Sequence, residues 1–412
     1  MGITPMLIFT VNTILFNVIN IVMRYQPSLF LLYFSLIVLY SCKMPEGPVT
    51  LSGDVAEAEG WASEIILEGL EHPWALEWLP NGWMLITERP GRMKIFNEES
   101  GQLDDVSGLP QIYSDGQGGL LDLLVHPDFE RNSLIYFTFA LGTEDQNQTA
   151  AARAELHGNQ LENVEIIFRA DPKKSGNQHF GSRMAWLADG SLLISVGDGG
   201  NRPKSIDGIL SREYAQMLDA HLGKIIRINE DGSIPEDNPF IRQDGALPEI
   251  WSVGHRNVQG LTFDKTSGRV WANEHGSRGG DELNLINGGA NYGWPVVTYS
   301  REYYGLKISR KTSKPGMEDP VIVWTPAQAP SGLTVYHGDV FKEWNGDLFS
   351  GGLRGEQVRR IILEGSTVMG EEALTIGHRV RDIRTGPDGY LYLLTAEENG
   401  KLIRIIPEAQ NK

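Results

Sequence analysis

Cysteine is almost absent from this sequence, because Cys42 is the only one among 412 residues. A single thiol cannot form an intramolecular disulfide, so the folded part of the chain must be stabilised by burial of apolar side chains. No two histidines stand at His-x-x-x-His spacing either. A zinc site built from thiolates or from such a histidine pair therefore has no support in the sequence.

Basic residues are also scarce, with 36 Lys and Arg against 53 Asp and Glu and a formal net charge of −17. A nucleic-acid partner would require a basic stripe, so this composition argues against one, whereas it is neutral about sugars and other small molecules. Long helical periodicity is nearly absent too. The best helix candidate covers 212–227, and even this stretch ends in a strand-like Ile-Ile-Arg-Ile run.

Long apolar runs are confined to the N-terminal region, where Arg24 is the only charged side chain between Met1 and Ser41. Such a run could be an uncleaved membrane anchor. The stretch from Met23 instead has the layout of a secretory signal, with one basic residue followed by an apolar segment. It ends in Leu-Tyr-Ser-Cys, which resembles the bacterial lipobox, in which the cysteine, here Cys42, is lipidated.

These features predict three segments. We interpret 1–42 as a signal or lipoprotein segment with Met23 as the more economical start, and 43–60 as a polar, flexible tether. Residues 61–412 are expected to form a single catalytic domain. The protein is therefore predicted to be exported, as a bacterial periplasmic or outer-membrane lipoprotein attached through its N-terminal lipid or anchor.

One pattern recurs beyond residue 60: a polar or glycine-containing turn followed by a short apolar strand rich in β-branched or aromatic residues. Six such units favour an all-β repeat protein, and a six-bladed β-propeller closes such units into a ring that protects its edges. A β-sandwich with long loops is the competing architecture. The units cover 79–88, 126–140, 187–200, 265–276, 343–353 and 386–405.

The stretch from Trp251 to Pro295 concentrates charged residues and glycines where a core strand would carry alternating Val and Ile. Acidic and carbonyl oxygens beside a glycine-rich turn suit a hard cation such as Ca²⁺. The neighbouring Arg256 suits an anionic ligand. The segment is therefore predicted to be a combined cofactor and metal site.

Ten fragments in the order of the chain resemble one family, the PQQ-dependent soluble aldose sugar dehydrogenases of the glucose/sorbosone dehydrogenase type. The resemblance covers nearly all of residues 65–405 and implies a six-bladed propeller with pyrroloquinoline quinone (PQQ) over its central axis. It also implies oxidation of the anomeric hydroxyl of aldose sugars to lactones by hydride transfer to PQQ, with an external electron acceptor. The fragments are HPWALEWLPNG, GQGGLLDLLVHPDF, HFGSR, HLGKIIRI, IPEDNPF, GALPEIWSVGHRNVQGL, EHGSRGGDELNLINGGANYGWP, TSKPGMEDPV, APSGLTVY and RVRDIRTGPDGYLYLL.

Oxidation of an anomeric carbon needs a base for the hydroxyl proton, and histidine is the natural base near neutral pH. His179 lies in a Gly-, Ser- and Arg-containing segment and matches the family's catalytic base. Arg256 and Asn257 match the pair that the family places against the quinone, where Arg256 would stabilise developing negative charge. Gln117, between glycines, matches a glutamine of the sugar and quinone pocket. Each residue also has a purely structural alternative in a loop or a surface ion pair.

The three carboxylates of PQQ require several cationic groups. Arg379 and Arg381 stand two residues apart, which on a strand places both on one face. They match the family's carboxylate-binding pair, although such a pair could also line a solvated strand. Arg354 falls near the position of a cofactor-contacting lysine in some relatives.

The resemblance implies two calcium ions. One would lie between PQQ and the carbonyl oxygens of Gly276 and Ser277, and would act as a Lewis acid. The second, structural ion would be held by Glu282 and a carbonyl near Tyr292, with Asp281 adjacent. A solvated acidic loop is the alternative.

Two departures leave the sugar undefined. Gln178 stands where glucose-oxidising relatives carry an acid that would orient and tune the histidine. Ala327 stands where a hydroxyl residue would contact the cofactor. Two other functions remain open: a Ca²⁺-dependent lactonase, which would need carboxylates converging on one central metal, and a sugar-binding surface lipoprotein without PQQ.

Overall fold

The structure is a computed structural model that describes residues 49–51 and 55–409. The predicted signal segment, with Met23 and Cys42, lies outside the described residues. No helix within the described part of the chain is long and apolar enough to cross a membrane.

The predicted all-β, six-bladed propeller is confirmed. Three strands precede the first blade: β1 (Val49–Leu51), β2 (Ala56–Glu57) and β3 (Trp61–Leu70). Blade one contains β4 (Pro73–Trp78), β5 (Met84–Glu88), β6 (Arg92–Asn97) and β7 (Gln102–Val106). Blade two contains β8 (Leu120–Val125), β9 (Leu134–Gly142), β10 (Asn147–His157) and β11 (Gln160–Arg169).

The remaining blades follow in chain order. Blade three contains β12 (Met184–Trp186) and β13 (Leu192–Val196), then a separate hairpin of β14 (Ser205–Ile206) and β15 (Ile209–Leu210), then β16 (Lys224–Ile228) and β17 (Ile250–Val253). Blade four contains β18 (Val258–Asp264), β19 (Arg269–Glu274), β20 (Asp281–Ile286) and β21 (Ile322–Trp324). Blade five contains β22 (Pro330–Val335), β23 (Leu348–Gly352), β24 (Gln357–Glu364) and β25 (Thr367–Thr375). Blade six contains β26 (Val380–Thr385), β27 (Leu391–Thr395) and β28 (Gly400–Pro407).

Each of the six predicted turn–strand units contributes the second strand of one blade. These strands are β5, β9, β13, β19, β23 and β27. Every residue of β5, β13, β23 and β27 is buried, because a second strand is covered by the neighbouring blade on each face. Burial on both faces explains why these strands carry the strongest apolar pattern in the sequence.

The ring closes by pairing β3 with β28, so the fourth strand of blade six comes from the N-terminal side of the domain. The first and last pairs of the register are Trp61 with Pro407 and Leu70 with Gly400. Inside the stretch predicted as a flexible tether, 43–60, β1 pairs in parallel with β21 and β2 with β25. These two short strands satisfy backbone groups at the outer edges of blades four and five.

Helix in the described residues is limited to α1 (Phe129–Asn132) and two 3-10 turns, Ser211–Gln216 and Lys342–Trp344. The helix candidate over 212–227 is therefore wrong beyond its first turn. Its last four residues lie in β16, which pairs with β13 and β17. Tertiary strand pairing outweighs local propensity there.

A network of buried charges joins the first strands of the blades near the propeller axis. Arg183 Nη1 donates to Asp122 Oδ1 at 3.0 Å and to Asp382 Oδ1 at 2.9 Å. Arg384 also pairs with both acids. Because two arginines face two aspartates, the four charges of the network balance, and the network joins blades two and six to the loop that leads into blade three.

Candidate active site

A cavity of about 220 Å³ opens on the propeller axis. All six blades, or the loops that lead into them, contribute to its wall, which places it at the centre of the ring. Its lining includes Trp74, Arg89, Gln117, Phe180, Gln259, His275, Ala329, Leu353, Arg379 and Arg381. A second cavity of about 460 Å³ is lined by Gln178, Gly200, Asn201, Arg202 and Lys204, among others.

His179 lies between these two cavities, since Phe180 lines the first and Gln178 the second. Its φ of 50° falls in the left-handed region, which few residues other than glycine adopt. The backbone N–H of His179 donates to Gln117 Oε1 at 2.8 Å, so the predicted base and the predicted pocket glutamine are in direct contact. A strained backbone held by tertiary contacts is typical of functional positions.

Asp198 orients the imidazole of His179. Its Oδ1 lies 2.6 Å from His179 Nδ1, and its Oδ2 accepts a hydrogen bond of 2.9 Å from Trp294 Nε1. The backbone N–H of Gly200 also donates to Oδ1, at 3.1 Å. A carboxylate at Nδ1 favours the tautomer with its proton on that nitrogen, which leaves the Nε2 lone pair available to accept a proton.

The electrostatic surroundings keep His179 neutral. Burial lowers the pKa of the imidazole, the positive charge of Arg256 lowers it further, and the carboxylate of Asp198 opposes both effects. Burial on its own would raise the pKa of Asp198, but His179 and Arg256 outweigh it and the pKa lies below its ordinary value. The pair therefore consists of an ionised carboxylate and a neutral imidazole.

Arg256 is buried beside this pair. Its Nη1 donates to the carbonyl oxygens of His275 at 2.9 Å and Gly276 at 2.6 Å, and its guanidinium lies over the Trp294 ring. No carboxylate of the described residues pairs with its side chain within 4.0 Å, because Glu274 contacts only its backbone N–H. Arg256 therefore places a positive charge near both His179 and Asp198.

Asn257 follows Arg256 at the start of the innermost strand of blade four. Its Oδ1 accepts from the backbone N–H of Gly181 at 3.1 Å, and the side chain is buried. The contact connects Asn257 to the loop that carries His179. In this structure it positions that loop; its predicted contact with the quinone stays a prediction.

Three guanidinium groups converge on the axial cavity: Arg89, Arg379 and Arg381. None of them pairs with an acid within 4.0 Å in the described residues. Burial and the neighbouring guanidinium groups of Arg183 and Arg89 lower the pKa of Arg381. Arg354, by contrast, lies exposed at the turn after β23, and its neighbour Leu353 lines the cavity instead.

The donor set of this cavity fits PQQ. A ligand with three carboxylates would supply the negative charges that Arg89, Arg379 and Arg381 lack, and charge-assisted pairs of this kind are strong where solvent is restricted. Trp74 and Phe180 also line the cavity, although each is only 3% exposed. The fit to PQQ therefore rests on the charged groups.

The turn between β19 and β20 carries the predicted calcium-binding carbonyls. At Gly276, a Cβ atom would lie 2.3 Å from Gly279 O, so only glycine fits the turn. Asp281 Oδ1 accepts from Gly276 N at 2.7 Å, while its Oδ2 accepts from the backbone N–H groups of Gln328 and Ala329. Both oxygens of Asp281 thus organise loops, and calcium ligation by Gly276, Ser277 and Asp281 stays a prediction.

Glu282 and Glu274 face each other across β19 and β20 beside a buried cavity of about 10 Å³, the size of one water molecule or ion. Burial and the charge of Glu274 raise the pKa of Glu282 well above its ordinary value. Tyr292 also lines this cavity, and its hydroxyl donates to Leu285 O at 2.6 Å. A cation would relieve the repulsion between the two carboxylates, which fits the predicted structural calcium.

In the described residues no group of three or more His, Cys, Asp and Glu side chains is arranged to hold a metal ion. The calcium ligands expected from the sequence, which are the carbonyls of Gly276, Ser277 and the Tyr292 region with Glu282 and Asp281, stay predictions.

Four residues of the site were not singled out from the sequence: Asp198, Arg89, His275 and Trp294. Asp198 lies in a Gly-Asp-Gly-Gly turn and Arg89 in an Arg-Pro-Gly turn, both of which look like ordinary connections. His275 lines both the axial and the small cavity, and burial with the nearby Arg256 lowers its pKa to about 3. Only tertiary contacts distinguish these residues from residues of ordinary turns.

Comparison with known proteins agrees with this geometry. Residues 70–404 match the family model described as Glucose / Sorbosone dehydrogenase. The chain is 39% identical over 352 residues to the aldose sugar dehydrogenase YliI of Escherichia coli, and the match covers 84% of this chain and 92% of that protein.

Two solved structures are also similar. The crystal structure of the soluble aldose sugar dehydrogenase of Escherichia coli in its apo form superposes with a TM-score of 0.79 at 38% identity, covering 84% of this chain and all of that chain (100%). The PQQ-bound aldose sugar dehydrogenase of Streptomyces coelicolor superposes with a TM-score of 0.67 at 27% identity, covering 85% of this chain and 100% of that one.

Proposed function

The chain belongs to the glucose/sorbosone dehydrogenase family, and on that premise we propose that it is a PQQ-dependent aldose sugar dehydrogenase. Sugar oxidation is the activity that its homologues support. More specifically, we propose that the anomeric C1 hydroxyl of an aldose is oxidised to the lactone, and that an external electron acceptor then reoxidises the cofactor. The PQQ-bound structure of the Streptomyces coelicolor relative supports the choice of cofactor.

One observation carries the proposal. The His179–Asp198 pair lies directly beside a cavity in which three guanidinium groups have no acidic partner within 4.0 Å in the described residues. A base next to a binding site for a polyanionic, planar ligand is the arrangement that quinone-dependent alcohol oxidation needs.

His179 is the proposed base. Its Nε2 would accept the proton of the anomeric hydroxyl, and Asp198 would stabilise the imidazolium that forms. Because burial and Arg256 keep the imidazole neutral beforehand, the base is ready to accept a proton at physiological pH. Loss of the hydroxyl proton and of the C1 hydride converts the hemiacetal carbon into a lactone carbonyl.

The positive groups around the base have separate roles. PQQ, when bound, supplies a quinone that accepts hydride. Arg256, fixed by the carbonyls of His275 and Gly276, would hold positive charge where negative charge develops. Arg89, Arg379 and Arg381 would bind carboxylates and orient the ligand. Gly276 and Ser277 would hold one Ca²⁺ through their carbonyl oxygens, and Glu282 with the carbonyl near Tyr292 a second.

The lactonase alternative is less well supported. It would need carboxylates that converge on one axial metal, but the axial acids Asp122 and Asp382 are both engaged by Arg183 and Arg384. A sugar-binding propeller without PQQ is distinguished from an enzyme by the activity assay below.

The test is dye-linked oxidation of a panel of aldoses by the purified protein with PQQ plus Ca²⁺, with PQQ alone, and with neither. Activity that requires both additions is expected. His179→Ala should lower kcat by about 10²- to 10⁴-fold, while PQQ affinity is nearly unchanged. The matched control is His157→Ala, because His157 is an exposed histidine that pairs with Glu155 at the C-terminal end of β10.

Two results would contradict the proposal. Near-normal turnover of the His179→Ala variant would remove this residue as the base. Absence of both activity and any spectral change during PQQ titration would mean that the axial cavity does not bind the cofactor, and the binding-propeller function would take its place.

We also propose that the protein is exported and lipidated at Cys42, on the basis of the apolar segment and the Leu-Tyr-Ser-Cys motif. Metabolic labelling with a radioactive fatty acid should label the wild-type chain. Label of equal intensity in Cys42→Ser would refute lipidation at this position.

A further inference from the structure

An exposed loop beside the candidate active site has a charge opposite to that of the whole protein. Residues 301–311, which we call the basic hairpin, contain four basic residues and one acid in a chain of net charge −17. The acid, Glu302, is buried and paired with Arg212 at 2.7 Å. The basic residues are all exposed, and none pairs with an acid within 4.0 Å in the described residues; they are Arg301, Lys307, Arg310 and Lys311.

The same hairpin carries three exposed large apolar side chains. Tyr303 is 62% exposed, Tyr304 68% and Leu306 66%. Isolated exposed apolar residues need no explanation, but three within four positions, surrounded by cations, form an amphipathic patch. Such a patch is more typical of a binding surface than of a solvated loop.

Backbone contacts fix the base of the hairpin to the predicted calcium-binding turn. Arg278 N donates to Arg301 O at 2.9 Å, and Ser277 N donates to Ser300 Oγ at 3.1 Å. The side chain of Arg278 reaches toward the tip, because a Cβ atom on Gly305 would lie 3.7 Å from Arg278 Nη1. The hairpin therefore forms part of the rim of the site.

The cavity of about 460 Å³ beside His179 carries two further basic side chains. Its lining includes the exposed side chains of Arg202 and Lys204 together with one exposed acid, Glu144. Asn201, in the same wall, approaches Ser277 with its Nδ2 3.5 Å from Ser277 Oγ. The cavity wall and the hairpin thus meet at Ser277 and Arg278 in one surface that carries mainly basic side chains.

We propose that this surface binds the non-reacting units of an acidic oligosaccharide, one that carries uronic acid residues, while its reducing-end aldose reaches His179. This proposal rests on the proposed sugar oxidation, and it identifies acidic oligosaccharides as the substrate class of that reaction. Tyrosine rings stack on the apolar faces of sugar rings, and exposed guanidinium and ammonium groups pair with carboxylates. PQQ carboxylates have their own arginines in the axial cavity, so they do not account for the cations of the rim.

The test is equilibrium binding, measured by calorimetry on the full-length chain without cofactor. The probes are trigalacturonic acid whose reducing-end C1 has been reduced to the alcohol, so that it has no anomeric hydroxyl to oxidise, and the neutral maltotriitol. The acidic probe should bind about tenfold more tightly at low salt, and added salt should reduce the difference. The double variant Arg301→Gln with Lys307→Gln should lose most of that preference, and Tyr303→Ala with Tyr304→Ala should weaken binding of both probes.

Arg131→Gln, on the helix α1 between β8 and β9 of blade two, is the control and should leave both affinities unchanged. Equal affinity for the two probes, absence of binding, or an equal loss in the control would overturn the proposal. Retention of the acidic preference in the Arg301→Gln with Lys307→Gln variant would overturn it too, because the acidic probe would then bind elsewhere, for example at the arginines of the axial cavity. Because the probes are not oxidised and no cofactor is present, this result is independent of the dye-linked assay. Oxidation of simple aldoses without binding of the acidic probe would refute the substrate class alone.

Discussion

Replacement of Asp198 by asparagine isolates the electrostatic contribution of this residue. Asp198 accepts hydrogen bonds from three donors: His179 Nδ1–H, Trp294 Nε1–H and the backbone N–H of Gly200. Asparagine has nearly the same shape but only one acceptor oxygen, so at least one of the two side-chain donors would face an amide N–H₂ group. The variant should fold normally and lack the buried negative charge.

The expected decrease in kcat/KM of the Asp198→Asn variant depends on the step at which His179 becomes positively charged. The imidazole is neutral before reaction and becomes positive as it accepts the proton, so Asp198 stabilises the transition state more than the ground state. Loss of one partner from a buried charge pair costs about 3–5 kcal/mol, which corresponds to roughly a 10²- to 10⁴-fold decrease in kcat/KM.

The pH profile separates this role from a packing defect. Asp198 raises the pKa of His179 against the lowering effects of burial and Arg256. Without the carboxylate the pKa falls further, and since the base must be neutral, the acid limb of kcat/KM should move to lower pH. Dye-linked assays across pH, with PQQ affinity measured separately, provide the test. If the Asp198→Asn variant shows near-normal turnover and the acid limb of its kcat/KM profile stays at the wild-type pH, Asp198 does not orient His179.

Three further predictions concern stability and metal binding. Burial lowers the pKa of Lys224 from 10.5 to about 7, so between these pH values the unfolded chain binds more protons than the folded one and the free energy of unfolding rises with pH. Lys224→Met should remove about 1.4 kcal/mol per pH unit from this rise, measured by denaturant titration at several pH values. An unchanged slope would contradict the lowered pKa. Ca²⁺ at 100 times its Kd should stabilise the wild-type protein by about 2.7 kcal/mol, and EGTA should reverse this gain. Glu282→Gln should lose the gain, and equal stabilisation of the wild type and the variant would exclude Glu282 as a ligand. Arg183→Met should destabilise the fold by about 3–5 kcal/mol because Asp122 and Asp382 lose a shared buried partner, and a loss below about 1 kcal/mol would show that the axial charges are solvated.

The sequence predicted the number of blades because one strand of each blade carries a strong local pattern. The second strands are buried on both faces and follow glycine-containing turns, so β5, β13 and β27 are recognisable without any tertiary information. The innermost strands carry axial charges such as Asp122 and Asp382, which disrupt the apolar alternation and hide those strands. The added strands β1 and β2 are too short to show a period at all.

The candidate site was predicted only where it coincided with motifs. The structure brings His179, Gln117, Arg256 and Asn257 together, although they come from three separate stretches of the chain. The acid that orients His179 could not be identified, because Asp198 lies 19 residues away in sequence and contacts the imidazole only after β12 and β13 pair. Gln178, which stands where glucose-oxidising relatives are expected to carry an acid, accepts a hydrogen bond from the backbone N–H of Asn201 at 3.1 Å.

Closure of the ring by β3 also determines the order in which the propeller can be completed. Arg404 on β28 pairs with Glu64 on β3 across 340 residues of sequence. During synthesis β3 emerges before any blade, yet its partner emerges only with the last strand, so the early blades form while the ring is still open. Contacts of such long range form late and slowly, and an unpaired strand edge invites association with other chains until they do. A polypeptide whose synthesis stalls before Gly400 would therefore contain all the strands of the first five blades, but it would lack β28 and with it the β3–β28 pairing that closes the ring.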